Sequence, residues 1–216
     1  MLGLLVKDLR IALTRKYALL IILVIALIMG TSMEGPFIIG YVTMIALMLA
    51  VGTIIYDEMD NGYGFMMTMP LTRKTYVREK YLFCLLSALV AWLVGAILTC
   101  AAYIIRQNAS ALLEDIPISL VLIPVLFILP AVMIPLQLKL GAERSRIATY
   151  IIFGFIAGLI FMCKKLLDES DLPAKIEPAL NSFPPVAVVV AITAFGLLVA
   201  FISYLCSVRI MMKKEF

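Results

Sequence analysis

The side chains best suited to chemistry lie in one polar stretch, residues 57–81, which separates two long apolar segments. The stretch starts with acids, passes through a glycine-spaced turn and an apolar patch, and ends in a run of bases. Methionine and aromatic side chains in such a patch adapt to a groove and bury a large area, and the acids can pair with bases on a partner. A plain connector between two helices needs only a few residues. The pattern therefore predicts a loop that docks onto another molecule.

The members of this loop are the acids Asp57, Glu58 and Asp60, the turn Asn61-Gly62-Tyr63-Gly64, the apolar residues Phe65, Met66, Met67 and Met69, and the bases Arg73, Lys74, Arg78 and Lys80. We predict that Pro70 ends a short helix carrying the apolar patch and that Thr72 caps the helix that follows. Each part also has an ordinary interpretation. The acids can be a solvated helix end, the methionines can lie in the membrane interface, and bases are common in any cytoplasmic loop. Only the combination indicates docking.

Catalytic side chains are scarce in the rest of the chain. There is no histidine, and the four cysteines are far apart with no C-x-x-C spacing, so zinc and thiol–disulfide chemistry have no support. We find no nucleophile–base set, no phosphate-binding G-x-x-x-x-G-K-[ST] loop and no acid or base securely inside an apolar segment. We therefore expect a chain that is not an enzyme, holds no metal or cofactor of its own and is poorly suited to ion-coupled transport.

The composition is that of an integral membrane protein. The chain has 216 residues, of which 64% are hydrophobic and 15% charged, whereas soluble domains average about 45–50% and about 25%. The apolar residues fall in blocks of the length that a transmembrane helix needs, about 20 residues. We predict an all-α membrane protein, a single domain over residues 1–216, with six transmembrane helices at residues 17–33, 37–56, 82–105, 117–138, 147–163 and 185–207.

Three further segments have distinct patterns. Residues 1–16 place leucines at helical spacing with Lys7, Asp8 and Arg10 on the other faces, which predicts an interfacial amphipathic helix whose bases point toward lipid headgroups. The fourth predicted span contains three prolines, so we expect it to be bent or interrupted. Residues 164–185 are amphipathic and proline-rich, and are either short helices at the outer interface or an ordinary solvated loop.

The distribution of bases predicts the orientation. With six spans, fourteen of the eighteen lysines and arginines fall in the two termini and in the 57–81 and 139–146 loops, while the acids divide equally between the two sides. Lysine and arginine are enriched on the cytoplasmic side of membrane proteins. We therefore place both termini and the 57–81 loop in the cytoplasm. The modest net charge of +4 gives no sign of nucleic-acid binding.

The order of residues in the polar stretch resembles a signature of ABC-2-type transporter permeases, in particular the small permease subunits of Gram-positive bacteria. That signature is an acid, a glycine, the motif T-x-P-[LI]-[ST]-R, and then a tyrosine and a lysine that enter the third span. The matching residues here are Glu58, Gly62, Thr68, Pro70, Leu71, Thr72, Arg73, Tyr76, Lys80 and Tyr81. The predicted layout, with an interfacial helix, six spans and amphipathic pieces before the last span, is similar to that of the same family.

The resemblance implies the permease subunit of an ATP-driven exporter in the bacterial cell membrane. A second permease chain, identical or a paralogue, would complete the pathway in the membrane. Two copies of a separate ATPase subunit would bind ATP and Mg²⁺, so that the assembled complex hydrolyses ATP although this chain does not. The implied cargo is an amphipathic peptide or another amphiphile, as in exporters of phenol-soluble modulins and in bacteriocin or lantibiotic self-protection systems.

In this family the loop between spans two and three is a coupling helix seated in a groove of the ATPase. Carried over to this chain, the coupling residues are Asp57, Glu58, Asn61, Gly62, Tyr63, Phe65, Met66, Met67, Pro70 and Arg73. The 139–146 loop would give a second, smaller contact through Glu143, Arg144 and Arg146. Two other function classes stay open: a non-transporting membrane partner or sensor, and an ion-coupled secondary transporter.

Overall fold

A computed structural model of the chain describes residues 2–14, 16–32, 35–59, 62–68, 71–106, 109–168 and 185–214. These residues are almost entirely helical, and no strand occurs among them. In chain order the helices are α1 (Leu2–Thr14), α2 (Lys16–Ser32), α3 (Gly35–Glu58), α4 (Gly62–Thr68), α5 (Arg73–Ile105), α6 (Ala109–Val121), α7 (Val125–Asp168) and α8 (Pro185–Lys213). The prediction of an all-α protein is confirmed for this part of the chain.

Several helices are suited to crossing a membrane. Within the described residues, four stretches are long and apolar enough: Gly35–Glu58, Arg73–Ile105, Asp115–Gly141 and Ala187–Lys213. The pair Gly3–Thr14 and Leu19–Ile28, bent by 64°, would count as a fifth if it forms one span. A multi-pass membrane protein is therefore confirmed, whereas the count of six spans and the interfacial position of α1 stay predictions.

Helices α3 and α5 form the most extensive helix pair of the described structure. The two backbones come close at Gly95, where an added Cβ would lie only 2.9 Å from Cα of Ile39. Small residues permit such close approach between membrane helices, whose association depends on van der Waals packing and hydrogen bonds. The pair is thus a rigid frame against which the other helices lie.

The proline-rich region differs from its prediction. The chain turns at residues 122–124, where Pro124 accepts backbone hydrogen bonds, but Pro130 and Pro135 lie inside α7. The predicted break is therefore confirmed at the start of the region and not at the later prolines. Two helical parts of α7 meet at a kink within the predicted 139–146 loop, at Gly141, whose backbone is not helical (φ 77°, ψ 179°). The interruption thus falls where it was predicted but is shorter than eight residues, because the residues on both sides of the glycine are helical.

The predicted outer segment at residues 164–185 is described only at its ends. Residues 164–168 continue α7, and Pro185 begins α8, where a first-turn proline loses no hydrogen bond. The rest of that prediction falls outside the described residues.

Candidate functional site

Helices α3 and α5 extend further into the polar stretch than hydropathy suggests. Helix α3 runs through Asp57 and Glu58, and α5 begins at Arg73, so the connection between them is residues 59–72. Thr72 is the N-cap of α5, as predicted: its hydroxyl accepts a hydrogen bond from the backbone N–H of Thr75 at 3.2 Å. The 57–81 stretch therefore contains the start of α5, as the Thr72 cap predicts, and also the end of α3, because a fall in hydropathy does not by itself end a helix.

A buried cluster of alternating charges joins α1, α3 and α5. We call Lys7, Asp8, Asp57 and Lys80 the charge cluster. Lys80 Nζ lies 2.6 Å from Asp57 Oδ2 and also forms an ion pair with Asp8. Lys7 forms an ion pair with Asp57 and lies 3.2 Å from Asp8 Oδ1. Each carboxylate thus lies between two ammonium groups, although the side chains of Asp8 and Lys80 are completely buried.

Neutral side chains add hydrogen bonds to the charge cluster. The Tyr76 hydroxyl donates to Asp57 Oδ2 at 2.9 Å, and Lys80 Nζ donates to Thr53 Oγ1 at 3.1 Å. The Thr53 hydroxyl in turn lies 3.2 Å from Asp8 Oδ2. Buried ions are tolerated only when such bonds accompany good ion-pair geometry, and removing one partner from such a pair costs about 3–5 kcal/mol. The cluster therefore fixes the position of α1 on the α3–α5 pair.

Glu79 lies beside the charge cluster and is fully buried. Neither oxygen of its carboxylate has a hydrogen-bond partner among the described residues. Together with Asp8 and Asp57 it gives three acids against the two bases Lys7 and Lys80. The described residues include no group of histidine, cysteine or acidic side chains that could hold a metal ion.

The short helix α4 covers the charge cluster with one face. The rings of Tyr63 and Tyr76 meet edge to face with centroids 5.8 Å apart, and Met66 Sδ lies 3.6 Å from Lys7 Nζ. Tyr63 and Met66 are buried, and burial raises the pKa of the Tyr63 hydroxyl. Phe65 points the other way and is 67% exposed. Helix α4 therefore has an inner face bound to the cluster and an outer face with a free aromatic ring.

Helices α7 and α8 also reach the region around α4. Lys214, just after α8, has its Nζ 3.4 Å from both Glu58 Oε1 and the Leu138 carbonyl, and 4.5 Å from the centre of the Tyr63 ring. Arg73 donates to the carbonyl oxygens of Met211 and Met212, at 3.2 and 2.6 Å, at the end of α8. The ends of α3 and α8, the start of α5 and the bend in α7 thus meet around α4.

Several predicted contact residues have their side chains inside the protein. Asp57, Tyr63 and Met66 are buried and are not exposed on the surface of α3 and α4, and their part in coupling stays a prediction. The physical reason is that each has a partner within the chain. Glu58 and Arg73 are partly exposed. Glu58 forms an ion pair with Lys214, and Arg73 donates a hydrogen bond to a backbone carbonyl of α8.

The other predicted contact residues either are exposed or lie outside the described residues. Phe65, Glu143 and Arg144 are exposed. Gly62 begins α4, and a Cβ there would lie 2.6 Å from the Asp57 carbonyl oxygen. Asn61 and Pro70 fall outside the described residues, as do the side chains of Met67 and Arg146.

The sequence reasoning missed the charge cluster. The amphipathic pattern of residues 1–16 predicts that Lys7 faces lipid headgroups, and the polar stretch places Lys80 among the bases of a cytoplasmic loop. Both lysines instead pair with buried acids, and this corrects the two predictions. Glu79 and Lys80 lie near the start of α5, whose 33 residues make it longer than the roughly 30 Å hydrocarbon core requires. That no acid or base lies securely inside a span therefore stays a prediction. One available signal was the i, i+4 spacing of Thr53 with Asp57 and of Tyr76 with Lys80, which puts each pair on one helix face.

The described helices and their apolar surfaces define a multi-pass α-helical membrane protein. A family model described as "ABC-2 family transporter protein" matches residues 3–212, which is nearly the whole chain. The chain therefore belongs to the ABC-2 family and is an ABC-2-type transporter permease. Searches among curated proteins and among solved structures found no match.

Proposed function

We propose that this permease is the membrane subunit of an ATP-driven exporter and that a separate ATPase binds the outer face of α4. The observation that carries the proposal is the position of α4. Its inner face contacts the charge cluster, while its outer face offers an exposed aromatic ring, Phe65. A partner bound there would hold α4, a short helix that lies against the ends of α3 and α8 and the start of α5. The sequence has no P-loop, so the nucleotide and Mg²⁺ belong to the partner in this proposal.

Phe65 is the best anchor that α4 offers. Binding energy at protein interfaces is concentrated in a few residues, often aromatic ones that enter a pocket on the partner. Met59, just before α4, is also exposed and extends the apolar surface. Glu143 and Arg144, shortly after the bend at Gly141, are exposed as well and supply the smaller second contact.

Movement of α4 would reach the membrane helices through the contacts of its inner face. Tyr63 packs on Tyr76 of α5, and Met66 contacts Lys7 of α1. Because the charge cluster joins α1, α3 and α5, a displacement of α4 acts on three helices together. Packed cores and ion-pair networks change between discrete arrangements rather than deform gradually, which suits a two-state access mechanism.

The finer points of the proposal rest on the sequence. Six spans with cytoplasmic termini follow from the apolar blocks and the distribution of bases. Location in a bacterial plasma membrane follows from the family resemblance. Export of amphipathic peptides or other amphiphiles follows from the resemblance to small permeases of Gram-positive bacteria. Pairing with a second permease chain likewise follows from that resemblance.

Binding to the ATPase tests the proposal. We expect Phe65→Ala to weaken binding of the purified ATPase at least about tenfold, since an aromatic anchor is worth more than 1.4 kcal/mol. Phe195→Ala is the matched control, because Phe195 on α8 is equally exposed at 62% but lies on a membrane helix. Surface plasmon resonance on nanodisc-embedded protein measures both. Equal affinity of the ATPase for the two variants would refute the proposal that it binds the outer face of α4.

A second candidate function is ion-coupled transport by this permease without an ATPase. It is favoured by Glu79, whose buried carboxylate has no hydrogen-bond partner among the described residues. Buried ionisable groups on membrane helices often mark ion pathways. Vesicles containing only this chain, with a proton or sodium gradient and no ATP, separate the two. Transport under these conditions that Glu79→Gln abolishes would support the second candidate. ATP-dependent transport that survives Glu79→Gln would support the first.

A further inference from the structure

An apolar cleft of about 460 Å³ lies among α1, α2, α3 and α5. Leu5, Leu9 and Leu13 of α1 form one wall, and Phe83, Leu86 and Val90 of α5 form another. Among its described lining side chains, only that of Ser87 carries a polar group. The volume is within the range of about 300–1,000 Å³ that is typical of ligand sites.

The cleft opens to the outside of the helix bundle. Leu9, Leu13, Leu23 and Leu86 line it and yet keep about half of their surface accessible. The walls from α3 and α5 belong to helices able to cross the membrane, so the opening borders the hydrocarbon. Apolar cavities do not hold water, and a lipid tail is as apolar as leucine. An acyl chain is therefore the natural occupant.

The exposed charges beside the cleft are positive. Arg10 follows the lining residue Leu9, and Lys16 precedes the lining residue Leu19 by one turn; both bases are exposed. Asp8, the acid of α1, is buried in the charge cluster, and among the described residues neither Arg10 nor Lys16 forms an ion pair with an acid. Lysine and arginine near a membrane surface attract anionic lipids, by about 1 kcal/mol for each base.

We propose that the cleft binds one acyl chain of an anionic phospholipid whose headgroup contacts Arg10 and Lys16. The lipid would fill the corner between α1 and α2 and thereby support α1 on the side opposite to the charge cluster. This site does not depend on the proposed export function.

Quenching of tryptophan fluorescence by brominated lipids tests the site. Trp92 is the only tryptophan in the sequence, and its indole donates to the Ser119 carbonyl, toward α6. In a Trp92→Phe background, Leu86→Trp reports on the cleft, and Phe195→Trp on α8 reports on ordinary lipid contact. Val90→Trp is a second cleft reporter if Leu86→Trp folds poorly.

We expect brominated phosphatidylglycerol to bind at the cleft reporter at least about fivefold more strongly than brominated phosphatidylcholine, the effect of one base. At Phe195→Trp the ratio should be close to one. Adding Arg10→Gln and Lys16→Gln should bring the cleft ratio close to one and leave the control unchanged. Filling the cleft with Ala46→Phe should reduce quenching of the cleft reporter by both lipids.

Three outcomes would overturn the proposal. Equal lipid preference at the cleft and control reporters would mean ordinary lipid contact only. Persistence of the preference in the Arg10→Gln, Lys16→Gln variant would remove the assigned headgroup contacts. Absence of quenching at the cleft, with the control quenched, would mean that a second copy of the chain or another protein covers it.

Discussion

The two ends of the α3–α5 pair are held together by different chemistry. At one end the charge cluster brings in α1 through buried ion pairs. At the other end, Tyr103 accepts a hydrogen bond from the Gly35 backbone N–H at 3.1 Å and donates to Asp115 of α6. Thr99 donates to the Gly35 carbonyl at 3.2 Å. The first end depends on charge balance among separate helices, whereas the second depends on neutral donors that bond backbone and a single acid.

This difference sets an order of expected mutational effects. A buried charge left without its partner costs about 3–5 kcal/mol. A buried neutral group left without its hydrogen bond costs about 1–3 kcal/mol. The ionic end, which also carries α4, should therefore be the more sensitive of the two.

We expect the largest effect from Lys80→Met, which leaves Asp8 and Asp57 with too little positive charge. The loss of unfolding free energy should be about 3–5 kcal/mol, measured by chemical denaturation in detergent. Lys74→Met is the matched control, because Lys74 is exposed on the same helix and surface changes stay within about 0.5 kcal/mol.

Adding Asp8→Asn to Lys80→Met should restore part of the loss, since it removes one uncompensated acid. If Lys80→Met were as stable as the parent, the charge cluster would not hold this end together. If Asp8→Asn gave no recovery, lost packing rather than charge would explain the effect.

At the opposite end, Tyr103→Phe should cost about 1–3 kcal/mol, because Asp115 loses a donor and the Gly35 N–H loses an acceptor. Tyr150→Phe is a suitable control, since Tyr150 is 75% exposed. The same denaturation assay measures both variants. A loss as large as that of Lys80→Met would contradict the contrast between the two ends.

The smallest effect at the ionic end should come from Glu79→Gln, well below the loss expected for a paired acid of the charge cluster. The carboxylate makes no hydrogen bond among the described residues, so the change removes none. Asp57→Asn is the isosteric comparison and should cost about 3–5 kcal/mol, because Asp57 pairs with Lys7 and Lys80. Similar losses for the two variants would show that Glu79 has a partner after all.

Much of the fold could be predicted because it depends on local properties. Long apolar blocks specify helices of membrane length, and Thr72 marks the start of α5 because its hydroxyl can replace a missing helical acceptor. The path of α7 was harder to predict from the sequence. Whether Gly141 ends a helix or bends it is decided by what lies nearby, and an added Cβ there would lie 2.7 Å from Glu58 Oε1.

The site could be predicted only in part, since its geometry depends on distant segments. Phe65 and Tyr63 lie two residues apart in an apolar patch, and only packing against Tyr76 determines which one is buried. Burial of Asp8 is favourable only when Lys80 is present to pair with it. The hydropathy of α1 gives no information about that partner, which lies on α5. Periodicity within α1 alone therefore predicts lipid headgroups as the partners of its bases and does not indicate that Lys7 and Asp8 join the charge cluster.

The charge cluster also has a consequence for the order in which the protein is built. Asp8 is synthesised 72 residues before Lys80, and Lys7 is synthesised 50 residues before Asp57. Until α5 has been made and inserted, Asp8 has only the neighbouring Lys7 as a base, and burying it away from water is unfavourable. Helix α1 is thus synthesised well before the helix that completes its buried contacts, and its docking must follow the insertion of α5.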